Sequence, residues 1–182
     1  MIWDFNRGNA RDYIDTVLAD PDAAKYTNGI AMHWYDDFGW FGPAYGSQVL
    51  QNIHDNHPDK WILNTEACTY YKPNLNLSKV EIGNWYHADY YARDIIDDLN
   101  HWSTGFVDWN MALNETGEPR WNDTYYDKNE TIDAPIIVSK DGSEFYKQPS
   151  YYVIGHFSIP ISYPYKFKHM DMSSRSYVWN IL

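Results

Sequence analysis

The stretch 60-KWILNTEACTYY-71 sets an apolar run directly against a carboxylate. Trp61, Ile62 and Leu63 predict a buried strand, and Glu66 follows at its end. An ionised carboxylate is costly to bury unless something compensates it. Burial alone would put another hydrophobe or a turn at this position. Glu66 therefore either closes the strand in a surface salt bridge or serves chemistry at the strand's mouth.

Three further runs share this form: Ile2-Trp3-Asp4-Phe5-Asn6, Gly29-Ile30-Ala31-Met32-His33-Trp34-Tyr35 and Gly105-Phe106-Val107-Asp108-Trp109-Asn110. Their polar ends recur roughly 30 to 40 residues apart, the length of a strand-helix-strand unit. Helical patterns fill the gaps. Tyr13, Ile14, Val17 and Leu18 make one apolar stripe, with Pro21 as a stop signal. Val49, Leu50 and Ile53 make a second stripe, and Tyr91, Ile95, Ile96 and Leu99 a third. The alternation predicts a parallel α/β sheet. Periodicity does not separate an open sheet from a barrel. A barrel would gather Asn6, His33, Tyr35, Glu66, Asp108 and Asn110 at the C-terminal ends of its strands, where barrel active sites lie. Four such units make half of a (β/α)8 barrel, and 182 residues is short of the roughly 250 that a whole one takes.

Past Asn110 the pattern changes. Residues 112–135 are polar and rich in turn formers and predict a long loop. Residues 134–147 predict a hairpin turning at Asp141-Gly142, and a closing helix is expected from near Pro149. The expected organisation is a half-barrel over residues 1–158 and a divergent, irregular or disordered tail over 159–182. The chain opens inside a strand, as a fragment would.

The net charge of −11 argues against a nucleic-acid partner, whose binders carry basic patches. The 9 Trp and 17 Tyr fit either core packing or the stacking of flat rings on the apolar faces of sugars. A single cysteine, Cys68, excludes an internal disulfide. Sequons at Asn76, Asn114, Asn122 and Asn129 favour passage through the secretory pathway. No signal-peptide pattern opens the chain, and no apolar run is long enough to span a membrane.

The segments "LADPDAAKYTNGIAMHWYDDF", "NTEAC", "GFVDWNMALNETGEPRW" and "APIIVSKDGSEFYKQPSYYVIGHFS", in this order and spacing, decide the matter. Over roughly residues 2 to 158 the chain resembles the glucosylceramidases (acid β-glucosidases) of glycoside hydrolase family 30, in the second half of their catalytic TIM barrel. The resemblance implies a retaining β-glucosidase acting on glucosylceramide, with Glu66 as the catalytic nucleophile at the end of the seventh barrel strand. It implies that His33 and Tyr35, closing the sixth strand, line the glucose pocket. Asn6 after the fifth strand and Trp109 after the eighth would bind substrate too, and Tyr125 loosely matches an entrance-loop aromatic. It implies no metal or other cofactor, a lysosomal or secreted location, a membrane-surface substrate and a saposin-like activator protein as partner. Two departures stand out. The family's acid/base glutamate sits in an Asn-Glu-Pro setting, which this sequence does not contain. After Ser158 the chain no longer resembles the family's β-sandwich. The expectation is an isolated chain that is inactive or poorly folded.

Other residues carry alternatives. Asp108 reads as a missing acid or, on a strand next to the nucleophile's, as a group that orients its neighbours. Asp36 and Asp37 beside His33 read as a polar loop start rather than a metal site. Cys68 has no Cys-His-Asn partners and reads as a small packed thiol. Arg7 could anchor a carboxylate or cap its loop. Trp34, Trp40 and Phe41 could form an apolar lip for lipid chains, with a core role open for Trp34. Two rival functions stand beside the main one: a non-catalytic sugar-binding fragment, and a family 30 hydrolase of another β-glycan such as a xylan or a 1,6-glucan.

Overall fold

A computed structural model describes residues 1–35, 46–69, 80–119 and 132–162. Asp36, Asp37, Trp40, Phe41, Tyr125, the sequons at Asn76, Asn122 and Asn129, and most of the expected tail lie outside the described residues.

Three of the apolar runs are strands β1 (Ile2–Phe5), β2 (Gly29–His33) and β3 (Trp61–Glu66), and the fourth strand, β4 (Ser103–Phe106), starts before the fourth run and shares only Gly105 and Phe106 with it. They form one parallel sheet in the order β1-β2-β3-β4. Helices α1 (Ala10–Leu18), α2 (Pro21–Tyr26), α3 (Gln48–Asn56) and α4 (Trp85–Asn100) fill the connections. Sequential strand order decides what periodicity left open. Right-handed crossovers that never reverse direction put every helix on one face, which is the winding of a barrel wall rather than of a doubly wound sheet.

The core confirms that one-sided cover. Ile30, Met32 and Ile62 of the sheet pack against Ala10, Ile14 and Leu18 of α1 and Val49, Leu50 and Ile53 of α3. Further along, Trp34 packs with Ala67, with Tyr91 and Ile95 of α4, and with Phe157. Trp34 is thus core, only 2 % exposed. Its ring lies 4.7 Å from Tyr90 and 4.8 Å from Tyr91.

Two expectations need correction. Pro21 does more than end α1: it is the first residue of α2, whose N-cap Asp20 accepts from the N–H groups of Asp22 and Ala23. The expected loop after Asn110 contains β5 (Ala112–Asn114), paired parallel to β6 (Ile136–Val138). Three residues are too few to show a period. The hairpin of β6 and β7 (Phe145–Lys147) is antiparallel, and Gly142 in its turn has φ 71°. Asp141 braces that turn by accepting from Ser139 Oγ and from the N–H and Oγ of Ser143. The sequon Asn114 is held in a turn, its Oδ1 accepting from Thr116 and Glu118.

Helix α5 (Pro149–Ser162) closes the described chain and crosses the expected boundary at 158. It packs on α4 through Phe157, Val153 and Ile154. Gln148, just before it, donates to both carboxylate oxygens of Asp133, which also bonds His87 of α4 at 2.7 Å. No helix among the described residues is long and apolar enough to cross a membrane.

Candidate active site

Parallel strands bring their C-terminal ends to one rim, so the residues closing β1, β2, β3 and β4 meet there. His33 of β2 is paired in register with Glu66 of β3. Its Nε2 lies 3.8 Å from Glu66 Oε2. The Glu66 side chain is 25 % exposed, so it is partly shielded yet open on one side. Tyr35 stands edge-on to His33, with ring centres 6.0 Å apart. Its hydroxyl is 3.0 Å from Cys68 Sγ.

Trp109 joins this rim through its backbone: its N–H donates to the carbonyl of Ala67, the residue after Glu66, at 2.8 Å. Its ring packs against the cluster of Cys68, Leu113 and Ile137. Asn6 closes β1, and its carbonyl accepts from Trp3 Nε1 at 2.9 Å. His33 therefore has Glu66 on one side and Tyr35 on another, Trp109 is tied by its backbone to the turn after Glu66, and Asn6 stands at the neighbouring strand end.

Behind the rim lies a polar network. Arg7 is 1 % exposed and donates to Asp98 Oδ2 at 2.8 Å, with Asp94 at 3.7 Å. Its Nε reaches the His33 carbonyl at 3.5 Å, and its N–H reaches the Tyr35 carbonyl at 3.4 Å. Arg7 thus anchors a carboxylate and also holds the end of β2. Asn64 of β3 donates to the same Asp98 oxygen at 2.9 Å. Burial pushes the Asp98 carboxyl up, against the pull of Arg7 and Asn64.

Asp108 turns away from the rim toward α4. Its Oδ1 accepts from the Tyr91 hydroxyl at 2.9 Å and from the Trp109 N–H at 3.1 Å. Burial raises its pKa to about 7, although both donors pull it down. This geometry fits a group that orients Trp109, and it presents no proton to the rim. Burial also pushes the Cys68 thiol up, which disfavours the reactive thiolate.

Sequence reasoning overlooked Asp4 and Thr65. Asp4 Oδ1 lies 3.2 Å from His33 Nε2 and accepts from Thr65 Oγ1 at 2.7 Å. Asp94 and Asp98 were overlooked as well, though a signal existed: they interrupt the apolar stripe of α4 that holds Tyr91 and Ile95.

Residues 1–161 match the glycosyl hydrolase family 30 TIM-barrel domain. The chain belongs to glycosyl hydrolase family 30. It is 43% identical over 159 residues to "Putative glucosylceramidase 3" of Caenorhabditis elegans, a match covering 87% of this chain and 28% of that protein. It is 40% identical over 146 residues to the lysosomal acid glucosylceramidase of Mus musculus, covering 80% of this chain and 26% of that one. The crystal structure of SrfJ from Salmonella typhimurium superposes with a TM-score of 0.68 at 29% identity, over 86% of this chain and 31% of SrfJ. The family 30 chain therefore spans less than a third of the length of these relatives.

Proposed function

We propose that this chain contributes barrel strands five to eight, as β1 to β4, to a retaining β-glucosidase that cleaves glucosylceramide to glucose and ceramide. Glu66 is the nucleophile. The observation that carries the reading is its carboxylate, held at the rim by a strand end with an imidazole beside it. A retaining glycosidase needs such a carboxylate, ionised, fixed in direction and open on the substrate side. Glu66 Oε2 attacks the anomeric carbon, the aglycone oxygen leaves with the bonding electrons, and a glucosyl ester forms. Water then cleaves the ester. His33 and Tyr35 line the glucose pocket, Trp109 offers its ring as a wall, and Asn6 offers its amide to a sugar hydroxyl.

The second carboxyl group of a retaining pair stands about 5 to 5.5 Å from the first and protonates the leaving oxygen. The family's Asn-Glu-Pro for that role is not in these 182 residues. Asp108 is a poor substitute, because its Oδ1 is taken by Tyr91 and the Trp109 N–H and its Oδ2 is buried. On this reading the chain by itself is inactive on ordinary glycosides, and what reactivity a folded chain keeps is confined to glycosides whose leaving group departs unprotonated. General-acid help is worth about 10²–10⁴-fold for ordinary ones. The names of the relatives support the substrate, and the mouse protein's name supports a lysosomal location. A membrane surface carrying the lipid and a saposin-like activator protein complete the proposal.

Dinitrophenyl β-glucoside tests it, since its phenolate leaves without a proton. The expected result is a burst of about one phenolate per chain, followed by slow turnover. A larger burst with the β-xyloside would move the substrate to another β-glycan. Sugar binding with no burst would favour a non-catalytic, lectin-like role.

A further inference from the structure

Both strands that flank β2 carry a bulge, at successive residues along it. In β1 the register passes from Trp3↔Ala31 to Phe5↔Met32, leaving Asp4 as the extra residue. In β3 it passes from Asn64↔Met32 to Glu66↔His33, leaving Thr65 as the extra residue. Bulges re-aim side chains and are common beside active sites. Here the two extra residues meet over the end of β2. Thr65 Oγ1 donates to Asp4 Oδ1 at 2.7 Å and also reaches the Met32 carbonyl at 3.3 Å. The same Asp4 oxygen is 3.2 Å from His33 Nε2.

The backbone is bent to allow this. Trp3 and Asp4 have φ of 81° and 54°, in the left-handed region that non-glycine residues avoid. Such strain persists where the surroundings over-determine it, and it clusters at functional sites. Burial of Asp4 does not account for its own strain, because the Asp4 side chain is 68 % exposed. What the strain gains is a carboxylate on His33.

We propose that Asp4 is a positioning residue: with Thr65 it clasps the His33 imidazole at Nε2 and so holds that edge of the ring beside Glu66. The inference rests on the glycosidase reading for its use, but the clasp itself does not. Nε2 has two carboxylate oxygens around it, Asp4 Oδ1 at 3.2 Å and Glu66 Oε2 at 3.8 Å. The charged groups facing the ring are Asp4 from β1 and Glu66 from β3, with the Arg7 guanidinium at the His33 carbonyl. When Glu66 becomes a neutral ester it ceases to attract the imidazole. Asp4 does not change, so the ring stays aligned through both halves of the reaction.

The test combines kinetics with ring spectroscopy. Glu66 is labelled with dinitrophenyl 2-deoxy-2-fluoro-β-glucoside, and the His33 ring is followed by ¹⁵N NMR. Carboxylates that orient metal-ligating imidazoles are worth about 10- to 100-fold, and a factor of the same order is expected here. Asp4→Ala should slow labelling by that factor at saturating probe, with half-saturation little changed, and should shift the Nε2 signal. Thr65→Val should do both to a smaller extent. Asp4→Asn, which keeps an acceptor for Thr65, should recover most of the rate. An Nε2 signal unmoved by Asp4→Ala would overturn the clasp. A moved signal with an unchanged labelling rate would overturn its role in positioning. A wild-type chain that is never labelled, but whose signal moves, would sink the glycosidase reading and leave the clasp standing.

Discussion

Asp108→Asn should flatten part of the pH dependence of folding. In the folded chain burial raises the Asp108 pKa from 3.8 to about 7. Below about pH 4 the carboxyl is protonated whether the chain is folded or not, and its contribution to stability is fully present. Between about pH 4 and 7 the unfolded chain releases the proton while the native chain keeps it, so stability falls as pH rises. Three pKa units at about 1.4 kcal/mol each make the total loss about 4 kcal/mol by neutral pH. Asn keeps the Oδ1 acceptor for Tyr91 and Trp109 and cannot ionise. Among the described residues Asp108 Oδ2 is buried without a partner, so the amide replacing it costs something too, but that cost does not vary with pH. The informative quantity is therefore the difference between variant and parent, from urea unfolding at pH 4 to 8. Other carboxylates tilt the parent curve the opposite way, such as Asp141, which hydrogen bonds from Ser143 and Ser139 lower to about 2, and the difference removes them. The variant should gain on its parent steadily from pH 4 to 7 and level off above. A difference constant across that range would refute the burial argument.

The remaining predictions concern packing. Arg7→Met removes the cation between Asp94 and Asp98, and breaking a buried pair from one side should cost about 3–5 kcal/mol in urea unfolding. Changing Asp98 to Leu in the same chain should return part of that, because of the two carboxylates only Asp94 is then left facing Met. Ile53→Ala, at a side chain with no exposure between α3 and the sheet, should cost about 2–5 kcal/mol. Gly29→Ala would place a Cβ 2.4 Å from the Trp61 ring, so the ring must swing outward. The expected cost is about 1–3 kcal/mol, with a red shift in tryptophan emission.

The sheet was legible because β1, β2 and β3 open on apolar residues and helices α1, α3 and α4 show their stripes, whereas β4, Ser-Thr-Gly-Phe, was marked only by the residues that follow it. Parallel winding followed from their alternation. Strand β5 was not legible, since three residues pairing with distant β6 leave no local pattern. Within the rim, His33 and Glu66 were visible as polar residues closing apolar runs. Asp4 was hidden for a physical reason: strict alternation gives no hint of a bulge, and a left-handed aspartate and tryptophan look ordinary in sequence. Arg7 was undecided until α4 supplied Asp98, 91 residues away. Asp108 could be called an acid or an orienting group from sequence. Its hydrogen bonds to Tyr91 and Trp109, with their direction away from the rim, favour the second.

The most direct measurement is to digest the chain after reaction with the fluoroglucoside and locate the added mass by peptide sequencing. The account predicts a single adduct on the peptide containing 61-WILNTEAC-68, at Glu66, and none in a Glu66→Gln chain. An adduct on any other carboxylate, or equal labelling of the Glu66→Gln chain, would contradict it.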